Sequence, residues 1–201
     1  FDSLTASVIV KYEVSESLDF SSIIIEDSIQ TDTSTDFTVK MDITGLQPNK
    51  YYFYRFHALG HTSLIGRTKT NPRNSVDNIK LAVLTGSDYR RGFFTGLAKI
   101  SERNDIDAVV HTGDYIYEGG GGVERMHEPN AEIYRLQDYR TRLSQYRLDT
   151  NLMRCHQLYP WIVIWDDHDI VVDALTDTCY RHDPAFGSYQ ARKYAAIKAF
   201  R

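Results

Sequence analysis

From Ser7 to Thr70, apolar and polar residues take turns along the chain. Val8, Val10, Tyr12 and Val14 fall on alternate positions, then Ile23 and Ile25, then Phe37, Val39, Met41 and Ile43. Period two puts one face of each run in a core and the other in water, the pattern of half-buried antiparallel strands. Short breaks of Asp, Ser, Thr, Gly and Asn separate the runs, which predicts a β-sandwich rather than a doubly wound sheet.

The segment Leu46-Gln47-Pro48-Asn49-Lys50-Tyr51-Tyr52-Phe53-Tyr54-Arg55 sharpens that reading. It resembles the turn-then-strand of fibronectin type III domains, with Tyr52 placed to turn its hydroxyl back onto the backbone as a tyrosine corner. Asn71 to Asn78 is polar and contains Pro72, so it reads as a linker with a boundary near residue 75. The prediction is therefore a fibronectin III/Ig-like sandwich over residues 1–74 and a second domain over 75–201.

Past the linker the period changes. Ile79 to Leu84 is a mostly apolar run, Gly92 to Asn104 has helical spacing through Phe93, Leu97 and Ile100, and Ile106 to His111 is a second buried run. Strand, helix, strand at this spacing predicts a βαβ unit in a parallel sheet. A third buried strand, Trp161 to Trp165, runs into Asp166; Ile133 to Leu143 and Ser188 to Arg201 read as amphipathic helices.

Composition narrows the function classes. A net charge of −4 gives no basic footprint for a bound nucleic acid, and no stretch approaches a membrane-spanning length. Two cysteines, Cys155 and Cys179, are neither a disulfide framework nor a paired-thiol zinc pattern; they either form one bridge or stay as small buried thiols, and the apolar and aromatic neighbours favour the second. The chain opens without Met or a signal segment and stops in mid-helix without a cap, which predicts the N-terminal part of a longer protein.

Chemistry is expected where buried strands end, because ligands of open α/β sheets sit at the carboxyl ends of strands. One such end is His111-Thr112-Gly113-Asp114-Tyr115-Ile116-Tyr117-Glu118, in which Asp114 either projects into a site as a ligand for a hard cation or caps the next loop. The other is Trp165-Asp166-Asp167-His168-Asp169. Three carboxylates around one imidazole repel unless a cation neutralises them, so a metal site is the economical explanation. Arg90 and Arg91 form an adjacent pair that either meets phosphate oxygens or stays solvated.

Together, the motifs Gly113 to Glu118 and Trp165 to Asp169 resemble those of alkaline phosphatase D (PhoD-like) enzymes among the calcineurin-like metallophosphoesterases. Gly92-Phe93-Phe94, Tyr139 to Arg142 and Tyr159 to Val163 extend the resemblance. It implies a four-layer αββα metallophosphatase domain, of which this chain carries the first part, and hydrolysis of phosphate mono- or diesters at a dinuclear centre of Fe³⁺ and Ca²⁺. Carried over, Asp114 bridges two metals, Tyr117 gives a phenolate to iron, Asp167 binds the second metal and His168 is the catalytic acid at the leaving group. Asp169 is expected to orient His168, with Asp166 outside the ligand set. The resemblance also implies a monomer in a secreted, periplasmic or extracellular setting.

One position departs from the family pattern: Gly86 stands where a cysteine ligates iron, and Asp88 is the nearest carboxylate. The departure leaves open altered metal chemistry, weakened activity, or a second reading of a different class. In that reading the chain is a non-catalytic cell-surface binding module with a degenerate metal site.

Overall fold

The computed structural model describes residues 7–200, and the chain divides into two compact units. The first takes the residues up to Ile79 with His156–Pro160; the second takes Lys80–Cys155 and the residues from Trp161 onward.

In the first unit β1 (Val8–Ser15) pairs antiparallel with β2 (Ile23–Thr31) on one side and β3 (Tyr51–Ala58) on the other. The far edge of β3 is shared by two short strands, β4 (His61–Thr62) and β5 (Gly66–Lys69). The alternation is real on β1, where Val8, Val10 and Val14 are buried. Glu13 is buried too, because Arg55, its partner across the β1/β3 register, donates from Nε at 2.6 Å and Lys11 pairs with it at 3.0 Å. Lys11 and Arg55 hold its carboxyl down at about 2. Tyr52 is fully buried and its hydroxyl accepts the Gln47 amide at 2.9 Å, the return contact expected of a tyrosine corner. The run Phe37 to Ile43 departs from expectation: it joins no ladder, so the described residues of this unit form a single five-stranded sheet. Alternation alone marks a chain with one apolar side, and a strand also needs a neighbour whose edge is free.

The second unit is a parallel sheet in the order β6 (Leu81–Leu84), β7 (Ala108–His111), β8 (Trp161–Val163). α1 (Thr95–Ser101) is the β6-to-β7 crossover, so the predicted βαβ unit forms, with a helix shorter than the Gly92 to Asn104 pattern. The strands contract likewise to 81–84, 108–111 and 161–163. Between β7 and β8 run α2 (Leu136–Arg147), which begins later than Ile133, and α3 (Thr150–Leu158), which the periodicity did not reveal; α4 (Tyr189–Phe200) follows. Arg142 of α2 is fully buried without a carboxylate partner, and its guanidinium instead donates to the carbonyls of Tyr117, Gly119, Glu128, Pro129 and Ala131. Five carbonyls thus fix the loop that follows β7. Cys155 and Cys179 are buried and unbridged, as expected.

β7 lies in the middle, and Val109 and His111 on one of its faces are fully buried. The other face of the sheet is bare: Leu81, Val83, Ile162 and Ile164 are 48%, 66%, 56% and 52% exposed.

Candidate metal centre

Parallel strands deliver their carboxyl ends to one side, and here three loops leave that side in contact with one another. Gly86 N–H donates to the Gly113 carbonyl at 3.3 Å and Ser87 N–H to that of Asp114 at 2.9 Å. Gly113 is required: at φ +104, a Cβ on it would stand 2.5 Å from the Cβ of Asp166, so any side chain would separate the loops after β7 and β8.

The chain then turns through Asp114, which holds φ 55 in the left-handed region. Asp tolerates that conformation better than most residues, but the cost is still of order 1 kcal/mol and needs support. Asp169 supplies it. Its buried carboxylate accepts the amides of Asp114 at 3.0 Å, Tyr115 at 2.9 Å, Ile116 at 3.1 Å and Asp166 at 3.0 Å. Burial pushes the Asp169 carboxyl up to about 6, against the pull of those amides. This corrects the role expected for Asp169: its oxygens are committed to backbone, and it ties the two loops together instead of orienting His168.

Glu118 orients His168. Its Oε2 lies 2.7 Å from Nδ1 of His168 while Oε1 accepts the Val172 amide at 2.7 Å. A carboxylate only accepts, so Nδ1 carries the proton and Nε2 is the ring atom left for the site. Burial lowers the imidazole's proton affinity, but Glu118, Asp114 and Asp167 outweigh it and the net shift is upward. Sequence reasoning missed this pairing. The available signal was Glu118 itself, a carboxylate in an apolar motif that needs a partner once buried.

The site residues singled out in the sequence lie near one another. One oxygen or nitrogen from each of Asp114, Asp167 and His168 lies within 4.8 Å of the others. Tyr117 donates its hydroxyl to Asp114 Oδ2 at 3.1 Å and packs its ring 4.5 Å from that of His168. The second oxygen, Asp114 Oδ1, is buried with no hydrogen-bond partner among the described residues. Desolvation raises the Asp114 carboxyl, and burial together with the Asp114 charge raises the Tyr117 phenol. An orphaned carboxylate oxygen among two further donors and a phenol suits a hard cation, which would reverse both shifts.

Two residues near the centre have other places. A Cβ on Gly86 would point to Tyr117 Oη at 3.5 Å, so this position faces the site, but its φ of +70 suits glycine. Asp88 is engaged elsewhere, capping the turn at Tyr89–Arg91 and pairing with Arg90 and Arg91.

The protein is thus of the α/β class, with acidic and imidazole side chains gathered at the ends of two adjacent parallel strands, β7 and β8, within reach of one common point. Residues 81–201 match the family model PhoD-like phosphatase and residues 2–72 match PhoD-like phosphatase, N-terminal domain, and the chain belongs to this family. It is 38% identical over 173 residues to alkaline phosphatase D of Bacillus subtilis (strain 168), covering 82% of this chain and 29% of that protein. Among solved structures it is similar to PhoD, with a TM-score of 0.89 and 34% identity over 96% of this chain and 38% of that one. A purple acid phosphatase from yellow lupin (Lupinus luteus) seeds shares the fold at a TM-score of 0.54 and 14% identity, over 96% of this chain and 35% of that one. The chain thus spans well under half the length of these relatives.

Proposed function

We propose that the complete protein hydrolyses phosphate mono- or diesters at a metal centre built on Asp114, Tyr117, Asp167 and His168. The observation that carries this is the buried, unpartnered Oδ1 of Asp114 beside the donors of Asp167 and His168, in a chain of the PhoD-like phosphatase family. Asp114, Tyr117 and Asp167 would hold the metals, Tyr117 on the iron side and Asp167 on the calcium side, and the bound metals would supply an activated water and polarise the phosphoryl group. His168 acts as the imidazolium: Glu118 holds the Nδ1 proton, the surrounding carboxylates favour the charged ring, and Nε2–H gives its proton to the departing alkoxide. Asp169 keeps Asp114 in its left-handed turn and so holds the loops in register.

The bare face of the parallel sheet supports a larger architecture. Parallel sheets are covered on both sides, and four exposed aliphatic residues on one side call for a further layer. We place that layer in the complete protein as the second sheet of an αββα domain over 75 onward, which follows in sequence a fibronectin III-like β domain over 1–74 to which the Tyr52 corner belongs. A location outside the cytoplasm follows from the resemblance; no helix among the described residues is long and apolar enough to cross a membrane.

Gly86 favours a second reading, a surface-binding module with a degenerate centre, because it puts no side chain where one would face Tyr117. The two readings separate on turnover of p-nitrophenyl phosphate and bis(p-nitrophenyl) phosphate by the complete protein. Hydrolysis that stops on chelation and returns with metal supports the enzyme; a folded, metal-loaded protein that turns over neither ester supports the module.

A further inference from the structure

Arg90 and Arg91 are adjacent, yet the structure treats them differently. Arg91 is 81% exposed along its side chain and makes one 3.2 Å contact to Asp88, an ordinary surface ion pair. Arg90 is 26% exposed and held at several points. Its Nε and Nη2 donate to the two oxygens of Asp88 at 2.9 and 3.0 Å, its own amide donates to Oδ1 at 3.1 Å, and its carbonyl accepts the amides of Val123 and Glu124 at 3.2 and 3.0 Å. Asp88 is itself mostly buried; desolvation opposes its charge, but Arg90 outweighs that and keeps the carboxyl low.

This grip leaves one edge of the guanidinium unused. Nη1 has no hydrogen-bond partner among the described residues. The guanidinium carbon stands 5.7 Å from the centre of the Tyr117 ring, which in turn lies against His168. Gly119, just past Tyr117 and Glu118, makes room for it, since a Cβ there would meet Nη1 at 3.0 Å. The carboxylates of Asp114, Glu118, Asp166, Asp167 and Asp169 gather around the centre and repel an anion wherever a cation does not offset them. A fixed cation with a free donor beside them is the group such a site needs for an oxyanion, and its orientation is set before the ligand arrives.

We propose that Arg90 binds an anionic phosphoryl oxygen of the ligand at this centre, with Asp88 as the positioning residue that aims its free Nη1. The proposal rests on the phosphoester reading for its ligand class. It predicts that the two arginines, indistinguishable in sequence, separate cleanly in experiment.

The test is calorimetric titration of the metal-loaded complete protein with inorganic phosphate, alongside KM and kcat for p-nitrophenyl phosphate. Losing a charge-assisted hydrogen bond lowers affinity by about ten- to a hundredfold. Arg90→Ala is expected to weaken phosphate by that factor and raise KM more than it lowers kcat, with metal content unchanged. Arg90→Lys recovers part of the loss, Asp88→Asn falls between wild type and Arg90→Ala, and Arg91→Ala stays within about twofold of wild type. A folded Arg90→Ala protein that binds phosphate as wild type does would overturn the proposal, as would a wild-type protein that binds no phosphate. Phosphate binding through Arg90 without turnover of either ester sustains the anion site and removes the hydrolytic reading; turnover with an unchanged KM in Arg90→Ala removes Arg90 alone.

Discussion

Asp114 has its backbone in the left-handed region, one carboxylate oxygen on a phenol and the other buried and unpaired. None of these is favourable alone, and each is tolerated because Asp169 and a cation between them would satisfy the residue completely. Glu118 acts one step away. Glu118→Gln keeps the shape but removes the charge that fixes the His168 tautomer, so kcat for p-nitrophenyl phosphate is expected to fall by about ten- to a hundredfold with metal retained. Loss of metal along with rate would instead make Glu118 part of the ligand set. At Gly86 a cysteine would bring a soft donor toward Tyr117 at the cost of about 1 kcal/mol for an L-residue at φ +70. Gly86→Cys should bind iron more tightly, seen in metal content, and melt at a lower temperature. That Asp114, Tyr117, Asp167 and His168 lie near one another was legible in the sequence because each sits in a short motif at the end of an apolar strand. The duties of Glu118 and Asp169 were not, because each reaches a partner some fifty positions away: Glu118 meets His168 across 50 residues and Asp169 meets Asp114 across 55.

Among the elements, the parallel strands were readable because a buried strand is apolar on both faces and leaves an uninterrupted run. Phe37 to Ile43 alternates as well as β1 does and still forms no ladder, since pairing depends on an available edge that local pattern does not encode. α3 was missed because it follows α2 almost at once, and no Gly or Pro separates the two helices in the sequence. α2 shows what an element contributes beyond its own packing: through Arg142 it holds the loop from Tyr117 to Ala131. Arg142→Lys keeps the charge but cannot reach five carbonyls, and unsatisfied buried acceptors cost about 1–3 kcal/mol each. The complete protein carrying this change is expected to be destabilised by roughly 3 kcal/mol or more, measured by denaturant unfolding; a loss under about 1 kcal/mol would mean water replaces the guanidinium freely.

For the molecule as a whole, acid should act first on the second unit. His111 and His127 are fully buried there, and desolvation lowers each imidazole to about 4. His127 Nδ1 faces the Gly119 carbonyl at 2.6 Å, so that nitrogen holds the proton and Nε2 accepts from Tyr146 at 3.1 Å. A folded pKa below the unfolded value of about 6.5 means the unfolded chain takes up protons first. Stability from these two groups is therefore complete above about 6.5 and is lost as pH falls toward 4. Thermal melts of the complete protein should show that decline, and His127→Gln should flatten it; an unchanged slope would place the acid sensitivity elsewhere.

In the proposed function Asp114 anchors a metal centre on which phosphoester hydrolysis depends. The most direct measurement is metal content per chain, by plasma mass spectrometry, together with turnover of bis(p-nitrophenyl) phosphate for the complete protein and its Asp114→Asn and His168→Ala variants. Asp114→Asn is expected to lose metal and activity together, whereas His168→Ala keeps most of its metal and loses rate. An Asp114→Asn protein that retains its full metal complement and turns over at the wild-type rate would contradict it.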